Sequence, residues 1–161
     1  MLAAGRVIVG ISWKSESPKT GHHKSIPLQQ WLPILQTNKV FFVSLQYGDQ
    51  DQEISTIGGL PGSGIHRDHS VDTKGDLDRF AAQVAAMDLV ITVSNTTAHF
   101  AGAMNVPVWT LISEGPGALW YWFHDRDDSP WYPSMKLFRQ SKAGRWEDVL
   151  SAVKSQLGTL V

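Results

Sequence analysis

The chain reads as an α/β protein: a Rossmann-like, doubly wound parallel sheet in a three-layer α/β/α arrangement, forming a single domain over residues 1–161. Two observations carry this reading. Short, continuous, β-branched apolar runs recur without the polar alternation of a half-exposed strand, which is the pattern of strands covered on both faces. Between them lie segments with helical spacing, and strands alternating with helices imply right-handed crossovers into a parallel sheet. A length of 161 residues suits one such core.

Residues 6–12 (RVIVGIS) open the sheet, and residues 14–25 collect Ser, Pro, Thr, Gly, His and Lys, which is loop chemistry. A helix is predicted over 26–35, with Leu28, Trp31, Leu32 and Leu35 on one face, Ser25 or Pro27 at its start, and Pro33 shortening or distorting it. Residues 40–45 (VFFVSL) are the second strand. A polar stretch follows over 46–52, then a short helix over 54–60 that ends at Gly58 and Gly59. Residues 65–71 are the third strand despite their His and Asp content, and 77–87 a helix with Asp76 and Asp78 at its start. Residues 89–93, 106–112 and 135–140 complete the strands, and 96–104 and 145–157 the helices. The last helix presents Trp146, Val149, Leu150, Val153 and Leu157 on one face. The stretch 114–133 is long and rich in Gly, Pro, Asp and aromatics.

The composition, 42% hydrophobic and 18% charged with a formal net charge of -1, argues against a disordered polyelectrolyte or a general nucleic-acid binder. An anion site must therefore be local. The absence of cysteine excludes disulfides, thiolate zinc and cysteine catalysis. No apolar stretch approaches the roughly 20 residues of a membrane span, and Met1 to Gly5 do not resemble a signal peptide. A soluble, cytoplasmic protein is expected.

Ligands of doubly wound sheets bind at the carboxyl ends of the strands, so the residues just after each strand carry the functional reading. Ser94-Asn-Thr-Thr-Ala-His99 leaves a strand and opens a helix whose Ala101, Gly102 and Ala103 permit close packing on the sheet. Helix-terminal N–H groups and the hydroxyls of Ser94, Thr96 and Thr97 suit phosphate oxygens; one of these residues alone would serve as a cap. His99 lies about one turn further on, as a ligand contact or a structural histidine. The loop after the first strand holds Lys14, Lys19, His22, His23 and Lys24. Lys24 with Ser25, at the mouth of the next helix, is the better placed to neutralise a diphosphate. Gln46 reads as a contact to base or ribose, or as a polar strand end, and Asp72 as a ribose contact or a turn cap. Asp125, Asp127 and Asp128 read as a solvated turn, with a catalytic pair of carboxylates as the alternative. Trp120, Trp122, Trp131 and Tyr132 read as packing for the long loop, or one of them as a stacking surface for sugar. The paired histidines lack a carboxylate at ligand spacing, so no metal is expected.

Seven motifs stand in the same order in the family 9, heptosyltransferase-like bacterial glycosyltransferases, which this sequence resembles from about Arg6 to Leu157. They are Val9-Gly-Ile-Ser-Trp13, Lys24-Ser-Ile-Pro-Leu28, Phe42-Val-Ser-Leu-Gln46, Met87-Asp-Leu-Val-Ile91, Ala98-His-Phe-Ala-Gly-Ala103, Pro107-Val-Trp109 and Asp128-Ser-Pro-Trp-Tyr-Pro-Ser134. The resemblance implies the C-terminal, donor-binding half of a two-domain B-type glycosyltransferase, acting on a nucleotide-diphosphate sugar without metal. It places the diphosphate at Ser94 to Thr97 with His99, and the family lysine and polar strand end at Lys24 and Gln46. An N-terminal acceptor domain or a tetratricopeptide segment is the implied partner, and the general base would come from the former, so no catalytic residue is assigned. Many relatives carry Asp-Thr where this chain has Ser94-Asn95, which leaves hydrogen-bonding capacity without the charge. Two rivals remain: a non-catalytic nucleotide- or protein-binding module, and half of a nucleotide-sugar epimerase.

Overall fold

A computed structural model describes residues 5–161; the reading of the chain start over residues 1–4 lies outside them. Six strands form one sheet: β1 (Val7–Ser12), β2 (Val40–Ser44), β3 (Ile65–His66), β4 (Leu89–Val93), β5 (Val108–Ile112) and β6 (Met135–Arg139). Their order is β3-β2-β1-β4-β5-β6, and every pair is parallel. The chain winds outward from β1 to β3, then returns to place β4 on the other side of β1. That reversal opens a crevice above the carboxyl ends of β1 and β4.

Side-chain alternation divides the core into two layers. Val9 and Ile11 of β1, Leu89, Ile91 and Val93 of β4 and Trp109 and Leu111 of β5 point to one face. There they meet α2 (Leu32–Leu35), α3 (Asp51–Gly58) and α6 (Glu147–Gly158) through residues such as Leu35, Ile57 and Val153. Val90, Val108 and Ile112 point to the other face, against Phe80 and Val84 of α4 (Leu77–Ala85) and Ala98 and Ala101 of α5 (Thr96–Ala103). The interior strands β4 and β5 are buried along their whole length, which is why their sequences show no alternation.

Several expected boundaries move. The helix expected over 26–35 is a 3-10 turn, Leu28–Trp31, followed by the single turn α2, because Pro33 has no N–H to donate and stands at the start of that turn. A one-turn helix, α1 (Gly21–Lys24), occupies what reads as loop. The helix expected at 54 begins at Asp51, within the stretch read as polar loop. The strand expected over 65–71 is only Ile65–His66, since the following Arg67-Asp-His-Ser70 supplies no apolar face to bury. Among the described residues no helix is long and apolar enough to cross a membrane.

Candidate functional site

A cleft of about 380 Å³ opens at the carboxyl ends of β1, β2 and β4, lined by Ser15, Glu16, Ser17, Lys24, Tyr47, Ser94, Asn95, Thr96, His99 and Tyr121. Its floor is the start of α5. Asn95 caps that helix, its Oδ1 accepting from the Thr97 N–H at 3.0 Å. The Asn95 carbonyl takes the Ala98 N–H, so the amide and hydroxyl of exposed Thr96 face the cleft as the available donors. Asn95 also binds the first loop across the crevice: its Nδ2 donates to Ser12 Oγ at 2.8 Å and to the Lys14 carbonyl at 2.9 Å. This use of both ends of an amide is one that a carboxylate could not reproduce.

Lys24 is the principal cation. Its residue surface is only 5% exposed, no carboxylate pairs with it among the described residues, and it lines the cleft opposite α5. Burial pushes its ammonium below the usual lysine value. It is positioned by α1, whose hydrogen bonds from Gly21 N–H to the Ser17 carbonyl and from Ser25 N–H to the Gly21 carbonyl close a tight turn. A Cβ at Gly21 would lie 2.3 Å from the Ser15 carbonyl oxygen, so that turn requires glycine.

His99 stands across the cleft from Lys24. Its Nδ1 is 2.9 Å from the Tyr132 hydroxyl, and its ring stacks on Trp122 at 5.2 Å with the planes 18° apart. Desolvation first, and the Lys24 charge second, hold its imidazole below the ordinary histidine value. Tyr121 packs edge-on against it at 5.6 Å. Trp122 is itself fixed by Nε1 donating to Ser94 Oγ at 2.8 Å. Ser94 accepts in this bond, so its own O–H remains free to donate into the cleft that it lines.

The expected site residues separate into two groups. Lys24, Ser94, Asn95, Thr96 and His99 meet at the cleft. Thr97 is buried beneath it, its hydroxyl donating to the Leu45 carbonyl at 3.4 Å. Gln46 is 1% exposed, and its Oε1 accepts from Ser12 Oγ and from the N–H groups of Trp13 and Lys14 at 2.8–3.0 Å. It holds the first loop in place and has no open edge toward a base or ribose. Lys14 pairs with Glu53 at 2.8 Å, away from the cleft lining. Ser25 bridges the Ser15 N–H and the Gly21 carbonyl within its own loop. Asp72 accepts from the N–H groups of Lys74 and Gly75, both at 2.9 Å, and shapes an exposed turn outside the cleft lining. Among the described residues, no group of three or more His, Asp or Glu side chains is arranged to hold a metal.

Glu16, Tyr47 and Tyr121 line the cleft without having been marked by the sequence. Glu16 is tied on two sides, its N–H to the Tyr47 hydroxyl at 2.9 Å and its carboxylate to Lys74 at 2.8 Å. A tyrosine just after the Gln46 that ends the second strand was the available signal.

No protein-family model matches the chain. It is 37% identical over 150 residues to Protein FlbA of Caulobacter vibrioides, an alignment covering 92% of this chain and 24% of that protein. Among solved structures it superposes on E. coli heptosyltransferase WaaC with ADP, at a TM-score of 0.63 and 14% identity over 100% of this chain and 46% of that one. A second is E. coli ADP-heptose lps heptosyltransferase II, at a TM-score of 0.62 and 15% identity over 98% and 47%. The chain spans about a quarter of the curated relative and just under half of each enzyme. A 3-2-1-4-5-6 parallel sheet covered on both faces, superposing along its whole length on part of two such enzymes, has a heptosyltransferase-like, Rossmann-type glycosyltransferase fold.

Proposed function

We propose that this domain binds a nucleoside-diphosphate sugar in the cleft between α1 and α5, as the donor-binding half of a glycosyltransferase. The observation that carries the reading is Lys24, a buried lysine without an ion-pair partner among the described residues, which lines the same cleft as the first residues of α5. Removing a cation from water without a counter-ion is costly. An anion seated between Lys24, the Thr96 donors and the positive end of α5 relieves that cost and satisfies the orphan amide. His99, held by Tyr132 and Trp122, supplies a further donor at the same edge. During transfer these groups would stabilise charge growing on the diphosphate as the glycosidic bond breaks, without a metal. A solved relative carries ADP, which agrees with a diphosphate ligand.

A second reading is a binding module without transferase activity of its own, and Ser94 favours it. Where the family this sequence resembles often has a carboxylate, the chain has an uncharged hydroxyl that accepts from Trp122 Nε1. Glu16, the carboxylate that does line the cleft, is paired with Lys74. Titration with UDP, GDP, ADP and their sugars tests the site. Binding by wild type that Lys24→Ala and Thr96→Ala each weaken supports it; no binding at millimolar nucleotide, or unchanged binding by both variants, refutes it. Sugar transfer by the domain alone would decide against the second reading.

A further inference from the structure

We propose that the segment between β5 and β6 presents a carbohydrate-binding rim, in which the exposed rings of Trp120 and Trp131 take pyranose rings by stacking, with Phe123 backing Trp131. The choice of a sugar as occupant rests on the reading of the adjacent cleft as a nucleotide-sugar site. Trp120 is 74% exposed, Trp131 53% and Phe123 36%, three large aromatic rings within one short stretch. Among the described residues the other large exposed apolar residues, Leu60, Leu77, Met104 and Leu160, are aliphatic or thioether side chains scattered along the chain. A clustered, outward-facing aromatic group of this kind marks a binding surface.

The stretch is held rigidly in this presentation. Trp131 Nε1 donates to the Tyr121 carbonyl at 2.9 Å, although its ring lies open to solvent. Arg139 of β6 clamps the backbone, its Nε donating to the Arg126 carbonyl at 2.9 Å and its Nη2 to the Trp122 carbonyl. Phe123 adopts φ 55°, ψ 174°, a conformation non-glycine residues rarely take, and the surrounding bonds maintain it. Phe123 stacks on Trp131 with centroids 6.3 Å apart and planes within 27°, and the Arg126 guanidinium lies 6.0 Å over the Phe123 ring, so Trp131 is the more open ring of the pair. Trp120 meets Tyr121 edge-on at 5.7 Å, and Tyr121 in turn lines the cleft and touches His99, so the rim is continuous with the proposed nucleotide site.

Polar chemistry beside the rings fits the same ligand. Immediately after Phe123, an open depression of about 390 Å³ is lined by His124, Asp125, Arg126, Asp127, Leu137 and Arg139. Asp125 and Asp127 make no ion pair among the described residues. A pyranose offers a face of C–H groups to a ring and vicinal hydroxyls to carboxylates; Asp125 and Asp127 supply the latter here, while Arg126 is paired with Asp128 and Arg139 is bound to backbone carbonyls. A narrow strip of three rings flanked by charges is less suited to a stable protein interface, whose buried centre is depleted of charge.

The test is a titration of ¹⁵N-labelled protein, following the indole N–H signals of Trp120 and Trp131. The probes are methyl glycosides of gluco, galacto and manno configuration, and separately UDP, GDP, ADP and their sugars. Wild type is expected to show saturable shifts of these indoles with a pyranose probe, weakened about tenfold by Trp120→Ala or Trp131→Ala. Trp120→Phe should retain binding, and nucleoside diphosphate affinity should be unchanged in all three variants. Shifts with free glycosides identify an acceptor-type ligand; shifts confined to nucleotide sugars assign the rim to the donor's sugar. Glycoside binding without nucleotide binding would sink the cleft reading and leave the rim. The proposal is overturned if no pyranose probe moves either indole, or if concentration-dependent self-association that Trp120→Ala abolishes is what covers the rings.

Discussion

Replacing Lys24 by methionine should weaken ligand binding while leaving the fold intact or firmer, an opposition of sign that a purely structural lysine cannot produce. Met keeps the apolar stem that packs in this 5% exposed position and deletes the ammonium. In the empty protein the deleted charge has no counter-ion among the described residues and sits where desolvation lowers its pKa, so its loss removes an unfavourable burial. With ligand present, the substitution removes a charge-assisted hydrogen bond of about 2 kcal/mol, which is roughly a 30-fold loss of affinity. Calorimetric titration with UDP, GDP or ADP gives the affinity, and thermal denaturation without nucleotide gives the stability. Weaker binding with an unchanged or raised melting temperature is the expected pair of results. A lowered melting temperature with unchanged nucleotide affinity would show that Lys24 serves the fold alone, and the argument from its unpaired burial would fail.

Other consequences are equally open to measurement. In the empty cleft His99 is held below the ordinary histidine value, by burial and then by Lys24, so it is neutral near neutrality. A bound diphosphate favours the cation, so binding takes up a proton: affinity for a nucleotide sugar should rise as pH falls from about 8 to about 6, and His99→Gln should flatten the profile. The same depression means that protonating His99 in the empty protein costs stability, a loss that appears as pH drops below the unfolded histidine value. Gln46→Leu leaves Ser12 Oγ and the Trp13 and Lys14 N–H groups without their acceptor; urea unfolding should register a loss of about 3 kcal/mol. At Gly102 a Cβ would fall 2.5 Å from Cγ of Tyr132. Gly102→Ala should therefore cost about 1–3 kcal/mol by overpacking and loosen the Tyr132 contact to His99, seen as broadened His99 resonances.

The parts of this architecture that sequence reveals are those set by local chemistry. β4 and β5 are buried on both faces and so read as unbroken apolar runs, and the Ser94-Asn95-Thr96-Thr97 turn announces a helix start whatever lies above it. α1 escapes because a single turn of Gly, His and Lys has no apolar period to display, although that turn delivers Lys24 to the cleft. β3 is overextended in the sequence reading because an edge strand needs only enough residues to pair with Phe42 and Val43. Gln46 illustrates the harder limit. A polar residue at a strand end looks the same whether it faces a ligand or a neighbouring loop, and its partners lie 32 to 34 residues away in the chain. Ser94 is similar: sequence shows a hydroxyl that can donate to a phosphate, and only the fold shows that its oxygen also accepts from Trp122 Nε1.

The most direct test of nucleotide-sugar binding at this cleft is an amide chemical-shift titration of the labelled domain with UDP, GDP, ADP and their sugars. Saturable shifts centred on Thr96, Lys24 and His99, with Arg6, Lys39 and Gly64 at the opposite ends of the strands unmoved, are the predicted result. Absence of saturable shifts at millimolar nucleotide, or shifts centred on those opposite ends, would contradict it.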